Sequence, residues 1–317
     1  MKSEFIWMDG ELVPYDQATV HVITPTLHYG VGVFEGIRCY LTPQGPAVFR
    51  LREHLKRFLE SIHILGVLEF PYSLEEMRLA VHQTIQANKF TECYIRPLMY
   101  LQGPLGLNMD RSKPRLAIAA WEWGPYLGEE ARHTGIHLMV SSFTRLHPNI
   151  SLTKSKITGN YVNSMLVKTL ALRSGFDEAV ILDPEGFVAE CTGENIFMVR
   201  KGTLYTPPRG SILEGITRDS VFTLAEDMGI PVVEEMITRD QLYIADEVFI
   251  SGTAAELVGV RMIDHRPIGA GKPGPVTQAL LQAFLNNVHG QGVHAAEWLD
   301  YVSLEPSVQG QKMLMDL

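Results

Sequence analysis

Two lysines two residues apart, Lys154 and Lys156, stand in the run Leu152-Thr153-Lys154-Ser155-Lys156-Ile157. A lysine amine attacks a carbonyl only once it has shed its proton, which takes desolvation or nearby positive charge. On a strand the two amines share a face, so periodicity does not separate them. A solvated surface charge is the ordinary role of either. Further on, the carboxylates Glu190 and Glu194 flank Cys191-Thr192-Gly193. Taken alone, Glu190 reads most simply as a solvated residue after the turn Asp183-Pro184-Glu185-Gly186. Gly215-Ile216-Thr217 precedes a run with helical spacing, so backbone N–H groups and the Thr217 hydroxyl can converge on a phosphate there. Capping of that helix by Thr217 is the simpler role, and the two are compatible. In Tyr94-Ile95-Arg96 the tyrosine and arginine share one face of a strand and Ile95 takes the other.

The composition narrows what these groups can serve. A formal net charge of -9 over 317 residues argues against nucleic acid as a partner, which needs a basic surface. It leaves small anions open, because a few arginines can reverse the field inside one cleft. Apolar residues at 46% and charged residues at 20% are those of a soluble globular protein. Cys39, Cys93 and Cys191 are far apart and make no CxxC, which fits reduced thiols in the cytoplasm. The run from Met1 to Asp9 carries Glu4 and lacks the apolar stretch of a signal peptide, and no run has the length of a membrane span. His28, His54 and His63 have no metal-ligand spacing, so no metal is expected. No GxGxxG opens a helix, which argues against a nucleotide-dependent oxidoreductase.

The elements that must position these groups fall into two sets. Phe5-Ile6-Trp7-Met8, the turn Asp9-Gly10 and Glu11-Leu12-Val13 predict a hairpin. Val33 to Tyr40 reads as one strand with Pro46 to Phe49 as its partner. Leu55, Phe58, Leu59, Ile62 and Leu65 share a face and predict a helix over 53–65. Ser73 and Glu76 stand in capping-box positions for a helix over 73–87. Strands follow at 93–100 and 115–121. The glycine, proline and aromatics of 122–128 mark a linker. Beyond it come strands at 137–142, 178–182, 195–199 and 247–250 and helices at 161–174, 217–228 and 275–288. The expectation is a small N-terminal α+β domain (1–122), a linker (123–135) and a larger cofactor-binding α/β domain (136–317), with a cleft between them.

Six segments match one family in order. They are His28-Tyr29-Gly30 followed by Val33-Phe34-Glu35-Gly36-Ile37-Arg38; Tyr94-Ile95-Arg96-Pro97-Leu98; Lys156 with Gly159-Asn160-Tyr161; Glu190 with Gly193-Glu194-Asn195; Gly215-Ile216-Thr217-Arg218-Asp219; and Ser251-Gly252-Thr253-Ala254-Ala255-Glu256. From about Ile6 to about Tyr301 the chain resembles the class IV, fold type IV, pyridoxal-phosphate-dependent aminotransferases, and among them the bacterial branched-chain enzymes. The resemblance implies a two-domain α/β (α+β) fold and pyridoxal 5'-phosphate as cofactor. It implies transfer of an amino group between L-leucine, L-isoleucine or L-valine and 2-oxoglutarate through a Lys156 Schiff base.

The same resemblance distributes the roles. Lys156 is preferred to Lys154 because only its spacing to Gly159-Asn160-Tyr161 matches. Glu190 pairs with the ring nitrogen and Tyr161 bonds the ring oxygen. Arg57, Ile216, Thr217 and Thr253 hold the phosphate, and Leu213 completes the cofactor contacts. The α-carboxylate lies at the turn Thr253-Ala254-Ala255. The side-chain pocket comes from Phe34, Gly36, Tyr94 and Tyr126, and Arg96 takes the second carboxylate of glutamate, with Tyr29 and Arg38 near. The loop 102–108 resembles one that reaches the partner's site in family dimers, so a homodimer or higher homo-oligomer is expected. Thr158, Cys191-Thr192 and Val258-Gly259 depart from the family pattern and bear on substrate range. A D-amino acid transaminase or an (R)-selective amine transaminase on the same fold is the alternative, an aminodeoxychorismate lyase a weaker one. A non-catalytic cofactor-binding protein would show the cofactor's absorption without a response to leucine.

Overall fold

The computed structural model describes residues 3–124 and 127–302. Two sheets organise it. The first runs Leu299–Tyr301, Gly45–Phe49, Ile37–Thr42, Cys93–Gln102, Lys113–Trp121, Phe5–Met8 and Glu11–Pro14, with Gly32–Phe34 also on Cys93–Gln102. Its pairings are antiparallel, as hairpin connections require. The second runs Val188–Cys191, Glu178–Leu182, Ile136–Thr144, Glu256–Ile263, Glu247–Gly252, Asn195–Arg200, Thr203–Thr206 and Val232–Glu234, with Arg266–Pro267 beside Glu256–Ile263. Ile136–Thr144 is parallel to both of its neighbours.

The amphipathic helices Leu51–Leu65 and Leu74–Ala87 cover one face of the first sheet. Leu55, Phe58 and Ile62 pack there on Ile37, Ile95 and Ile118, the burial that their spacing requires. The capping box forms: Ser73 N donates to Glu76 at 2.7 Å and Glu76 N to the Ser73 hydroxyl at 3.3 Å. Tyr40, Ala47 and Phe49 of the first sheet share a core with Phe197 and Phe249 of the second sheet, Leu224 of helix Ile216–Asp227 and Phe284 of helix Pro275–Val288. A common core therefore locks the two sheets together.

Three elements differ from the sequence-based expectation. The stretch expected as one strand from Val33 to Tyr40 is two, Gly32–Phe34 and Ile37–Thr42. It breaks where Glu35 turns inward to Arg57 and His54 and where Tyr94 crowds Gly36. The lysine segment is not a strand: a turn over 153–155 precedes Lys156, so alternation does not govern its two amines. Finally, Leu299–Tyr301 returns to pair with Gly45–Phe49, although it lies in the span expected to form the second domain. The strands Val188–Cys191, Thr203–Thr206, Val232–Glu234 and Glu256–Ile263 are short or carry glycine and charge, and their alternation is weak.

Candidate active site

The first sheet and the second both face one cavity of about 180 Å³. Phe34, Gly36, Arg57, Tyr94, Arg96 and Trp123 line it from one side. Lys156, Tyr161, Glu190, Leu213, Ile216, Thr217, Thr253 and Ala254 line it from the other.

Lys156 reaches this cavity because its backbone is tied to the first sheet. Phe34 N donates to Lys156 O at 3.1 Å, and Lys156 N donates to the buried Ser61 hydroxyl at 3.1 Å. Ile157 bridges to Val33. The amine lies 2.5 Å from the Tyr161 hydroxyl and about 5 Å from the Phe34 and Tyr161 ring centres (5.0 and 4.9 Å). Lys154 points elsewhere, to Glu214 at 3.1 Å and to backbone carbonyls at Arg209 and Ile212. The turn between them sends two lysines of identical type to two destinations.

Glu190 is buried at the end of Val188–Cys191. One of its oxygens accepts from Leu213 N at 3.2 Å and Asn195 Nδ2 at 3.3 Å. The other lies 2.7 Å from Arg145 Nε without hydrogen-bonding geometry. Burial pushes the Glu190 carboxyl above the ordinary carboxylate range, against the pull of Arg145 and the Leu213 N–H. A second cation facing it would favour its charged form. Glu194, its sequence neighbour, also lines the cavity. Burial and the nearby Glu178 push it up to about 8, and among the described residues Arg145 is set against Glu190 and not against Glu194.

At the far end, Arg57 Nε and Nη2 fork onto Glu35 at 2.7 and 2.8 Å, and Nη1 donates to Glu214 O at 2.8 Å. Glu35 also meets His54 Nδ1 at 2.8 Å. Burial alone would raise this carboxyl, but Arg57 and His54 hold it well below its usual range. One hydrogen on each terminal nitrogen of Arg57 is left over. Opposite stands the N-terminus of helix Ile216–Asp227. Gly215 precedes it because a Cβ there would stand 2.1 Å from Asn195 Oδ1. Thr217 is the second helical residue and not the cap, so the capping role considered for it is not the one it takes. Its buried hydroxyl and the first N–H groups remain for an anion.

The substrate side is aromatic. Arg96 lies 4.7 Å from the Phe34 ring centre, 5.3 Å from Tyr94 and 5.9 Å from Trp121. It donates to the Tyr94 hydroxyl at 3.2 Å, and its buried Nε has no partner among the described residues. Among the described residues no carboxylate pairs with it. Trp123 packs on Tyr94 at 4.5 Å.

Other expected residues lie outside the cavity. Tyr29 is exposed at the end of Pro25–Tyr29. Arg38 is turned to Glu256 at 3.2 Å. Ala255 is buried beside the turn without lining the cavity. Tyr126 lies outside the described residues. Arg145, Asn195, Ser251 and Trp123 were not singled out by sequence reasoning, although Asn195 and Ser251 stand inside its motifs. Nothing local distinguishes Arg145, which meets Glu190 only through the fold. Of the departures, Thr192 lines the cavity, Thr158 donates to Gly30 O at 2.6 Å, and Gly259 makes room for Pro273, which a Cβ would approach to 2.7 Å.

These residues fit a phosphorylated, cationic aromatic aldehyde. An amine, a hydroxyl and a buried carboxylate converge at one end, an arginine and a helix N-terminus at the other. The buried Ser251 hydroxyl in the wall has no partner among the described residues, as expected of a site built to receive a polar ligand.

Known proteins agree with that chemistry. The Amino-transferase class IV family model matches residues 32–263. The branched-chain-amino-acid aminotransferase of Pseudomonas aeruginosa is 50% identical over 294 residues, covering 92% of this chain and 95% of that protein. The Escherichia coli K12 enzyme of the same name is 44% identical over 308 residues, covering 95% and 98%. The solved structure of the T.th. branched-chain amino acid aminotransferase with pyridoxamine 5'-phosphate superposes with a TM-score of 0.93 at 48% identity, over 96% of this chain and all of that one. The fold is therefore that of the fold type IV enzymes, and the chain belongs to the class IV aminotransferases.

Proposed function

We propose that this aminotransferase moves an amino group reversibly between L-leucine, L-isoleucine or L-valine and 2-oxoglutarate, at the cavity between its two sheets. The observation that carries the substrate reading is Arg96, set without a carboxylate partner among the rings of Phe34, Tyr94 and Trp121. Aromatic walls suit branched aliphatic side chains. The same wall offers a cation to a second carboxylate, so one pocket serves leucine and glutamate in turn. The names borne by relatives at 44 to 50% identity favour this reading over an amine or D-amino acid specificity.

Pyridoxal 5'-phosphate, on which class IV aminotransferases depend, supplies when bound an aldehyde for a lysine amine and a ring that withdraws electrons from the substrate Cα. Lys156 would hold the aldehyde, and its amine, once free, would move the substrate Cα proton. Tyr161, in contact with the amine, would bond the ring oxygen. Glu190, held by Arg145 and the Leu213 N–H, would meet the ring nitrogen. Arg57, Ile216, Thr217 and Thr253 would hold the phosphate, and Leu213 would give an apolar contact. The turn at Thr253, Ala254 and Ala255 would take the α-carboxylate.

We take the two sheets as the cores of two domains, with Leu299–Tyr301 returned to the first. We take the assembly to be a homodimer, a reading supported by the exposed apolar residues Val22, Ile23, Leu27, Leu107, Ile150, Val162 and Met165, which a second copy would cover. No helix among the described residues is long and apolar enough to cross a membrane. We place the site of action in the cytoplasm, where free cysteines such as Cys39, Cys93 and Cys191 are the norm.

The test is direct. L-Leucine added to cofactor-loaded protein should remove the visible absorption of the bound cofactor, and 2-oxoglutarate should restore it. An unchanged spectrum with leucine, isoleucine and valine would refute the substrate assignment.

A further inference from the structure

The turn assigned to the substrate carboxylate ends on a residue that does not suit it locally. Gly252 and Glu256 face each other as the last pair of a hairpin, so 253–255 is its loop. Glu256 has φ 60°, a left-handed conformation that glycine adopts freely and other residues rarely. Three-residue hairpin loops place glycine at such a position. A glutamate held there needs a compensating role for its side chain.

That side chain is buried and gathers three donors. Oε1 accepts from Arg38 Nη1 at 3.2 Å and from the Tyr40 hydroxyl at 3.1 Å, and Oε2 accepts from Arg132. Arg38 and Tyr40 stand two apart on Ile37–Thr42, on one face of the first sheet. Arg132 comes from the short helix Glu129–Thr134, just past the crossing between the sheets. Arg38 in addition donates to Trp123 O at 3.5 Å and lies 3.9 Å from Glu92. A single carboxylate thus joins the first sheet, the crossing segment and the hairpin turn. None of Arg38, Tyr40, Arg132 and Glu256 lines the cavity, while Trp123, Thr253 and Ala254 beside them do.

We propose that Glu256 is a positioning residue for substrate binding: its carboxylate sets the turn 253–255 against the first sheet and Trp123, so that the turn can receive the substrate α-carboxylate. This rests on the substrate reading above and deepens it. It also gives Arg38 a task other than direct substrate contact.

The experiment compares wild-type holoenzyme with Glu256→Gln, Glu256→Gly and Tyr40→Phe. Each is assayed in the half-reaction with L-leucine and with 3-methylbutylamine, which is leucine without its carboxylate. Glu256→Gly keeps an easy backbone and removes the side chain, and Tyr40→Phe removes one donor without touching charge. The expected result is a fall in kcat/KM for leucine on the order of tenfold or more in both Glu256 variants, chiefly through KM. Tyr40→Phe should show a smaller fall in the same direction. The slower reaction with 3-methylbutylamine and the affinity for pyridoxal 5'-phosphate should stay near wild type. Wild-type kinetics for leucine in Glu256→Gly would overturn the proposal, and so would an equal fall for both substrates. Should Glu256 variants not fold, an unchanged leucine KM in Tyr40→Phe would overturn it. Wild-type enzyme that ignores leucine would count against the substrate reading, and the same comparison would then use the amino acid that it accepts and the matching amine.

Discussion

Two arginines face the same cavity from opposite ends and are treated differently by the fold. Arg57 is forked onto Glu35 and bonded to a backbone carbonyl. Arg96 is surrounded by rings and, among the described residues, hydrogen-bonds the Tyr94 hydroxyl and no carboxylate. The ring end repeats the first pattern, with Glu190 set against Arg145. The end proposed for the cofactor is thus made of charges compensated in advance, suited to a group that stays. The end proposed for the substrate keeps a cation in reserve, suited to ligands that exchange and differ in charge. Prepaired charges give geometry and lose little when the ligand leaves. A cation among aromatic rings tolerates an apolar guest and rewards an anionic one.

The largest expected effect breaks both ends at once. Lys156→Ala should lower turnover by at least about 10²–10⁴-fold, the range for loss of a general acid–base group, in a leucine half-reaction. Lys154→Ala, which removes a half-exposed pair with Glu214 and contacts with the Arg209 and Ile212 carbonyls away from the cavity, should stay within about twofold, as surface pairs do. On the cofactor side, Glu190→Ala leaves Arg145 buried without its counter-charge. The expected loss is about 3–5 kcal/mol, as for other broken buried pairs, read as a lower melting temperature together with weaker cofactor binding. A variant of wild-type stability would mean that this pair is not what holds the ring end. On the substrate side, Arg96→Met should act on one substrate class only. Losing a charged hydrogen bond is worth about 1.5–3 kcal/mol, so kcat/KM for 2-oxoglutarate and glutamate should fall by roughly 10–150-fold with leucine little changed. Equal losses for leucine would erase the distinction between the two arginines.

Acid offers a milder test of the cofactor end. Glu35 sits well below its ordinary value in the folded protein because Arg57 and His54 outweigh its burial. A depressed carboxylate contributes stability that is fully present above its unfolded pKa of about 4.3 and is lost as pH falls below it. Cofactor retention and melting temperature should therefore be insensitive to this pair at neutral pH and decline below about pH 4.3. Glu35→Gln should flatten that decline and weaken cofactor binding at neutral pH. An unchanged acid profile in the variant would remove Glu35 from the account.

Much of this was legible in the sequence, for physical reasons that differ by residue. Helix Leu51–Leu65 announces itself through its apolar face, and Ser73 and Glu76 mark the next helix start within one turn. Such signals are local. The choice of Lys156 over Lys154 is not local and comes from the family resemblance around Gly159-Asn160-Tyr161. The structure accounts for it by the turn over 153–155, which sequence alternation could not foresee. Arg145 and Glu190 are far apart in the chain, Glu35 and Arg57 meet across a strand break, and Arg38 meets Glu256 across two sheets. Each of these pairs is made by tertiary contacts alone, and a motif that contains a member does not say what that member meets. The return of Leu299–Tyr301 to the first sheet escaped for the same reason.

The central claim is that Lys156, and not its neighbour, anchors the cofactor. The most direct measurement is to reduce cofactor-loaded protein with borohydride, digest it and map the added mass by tandem mass spectrometry. The account predicts the pyridoxyl mass on Lys156, absent after prior exchange with excess L-leucine. The mass on Lys154, or on neither lysine, would contradict it.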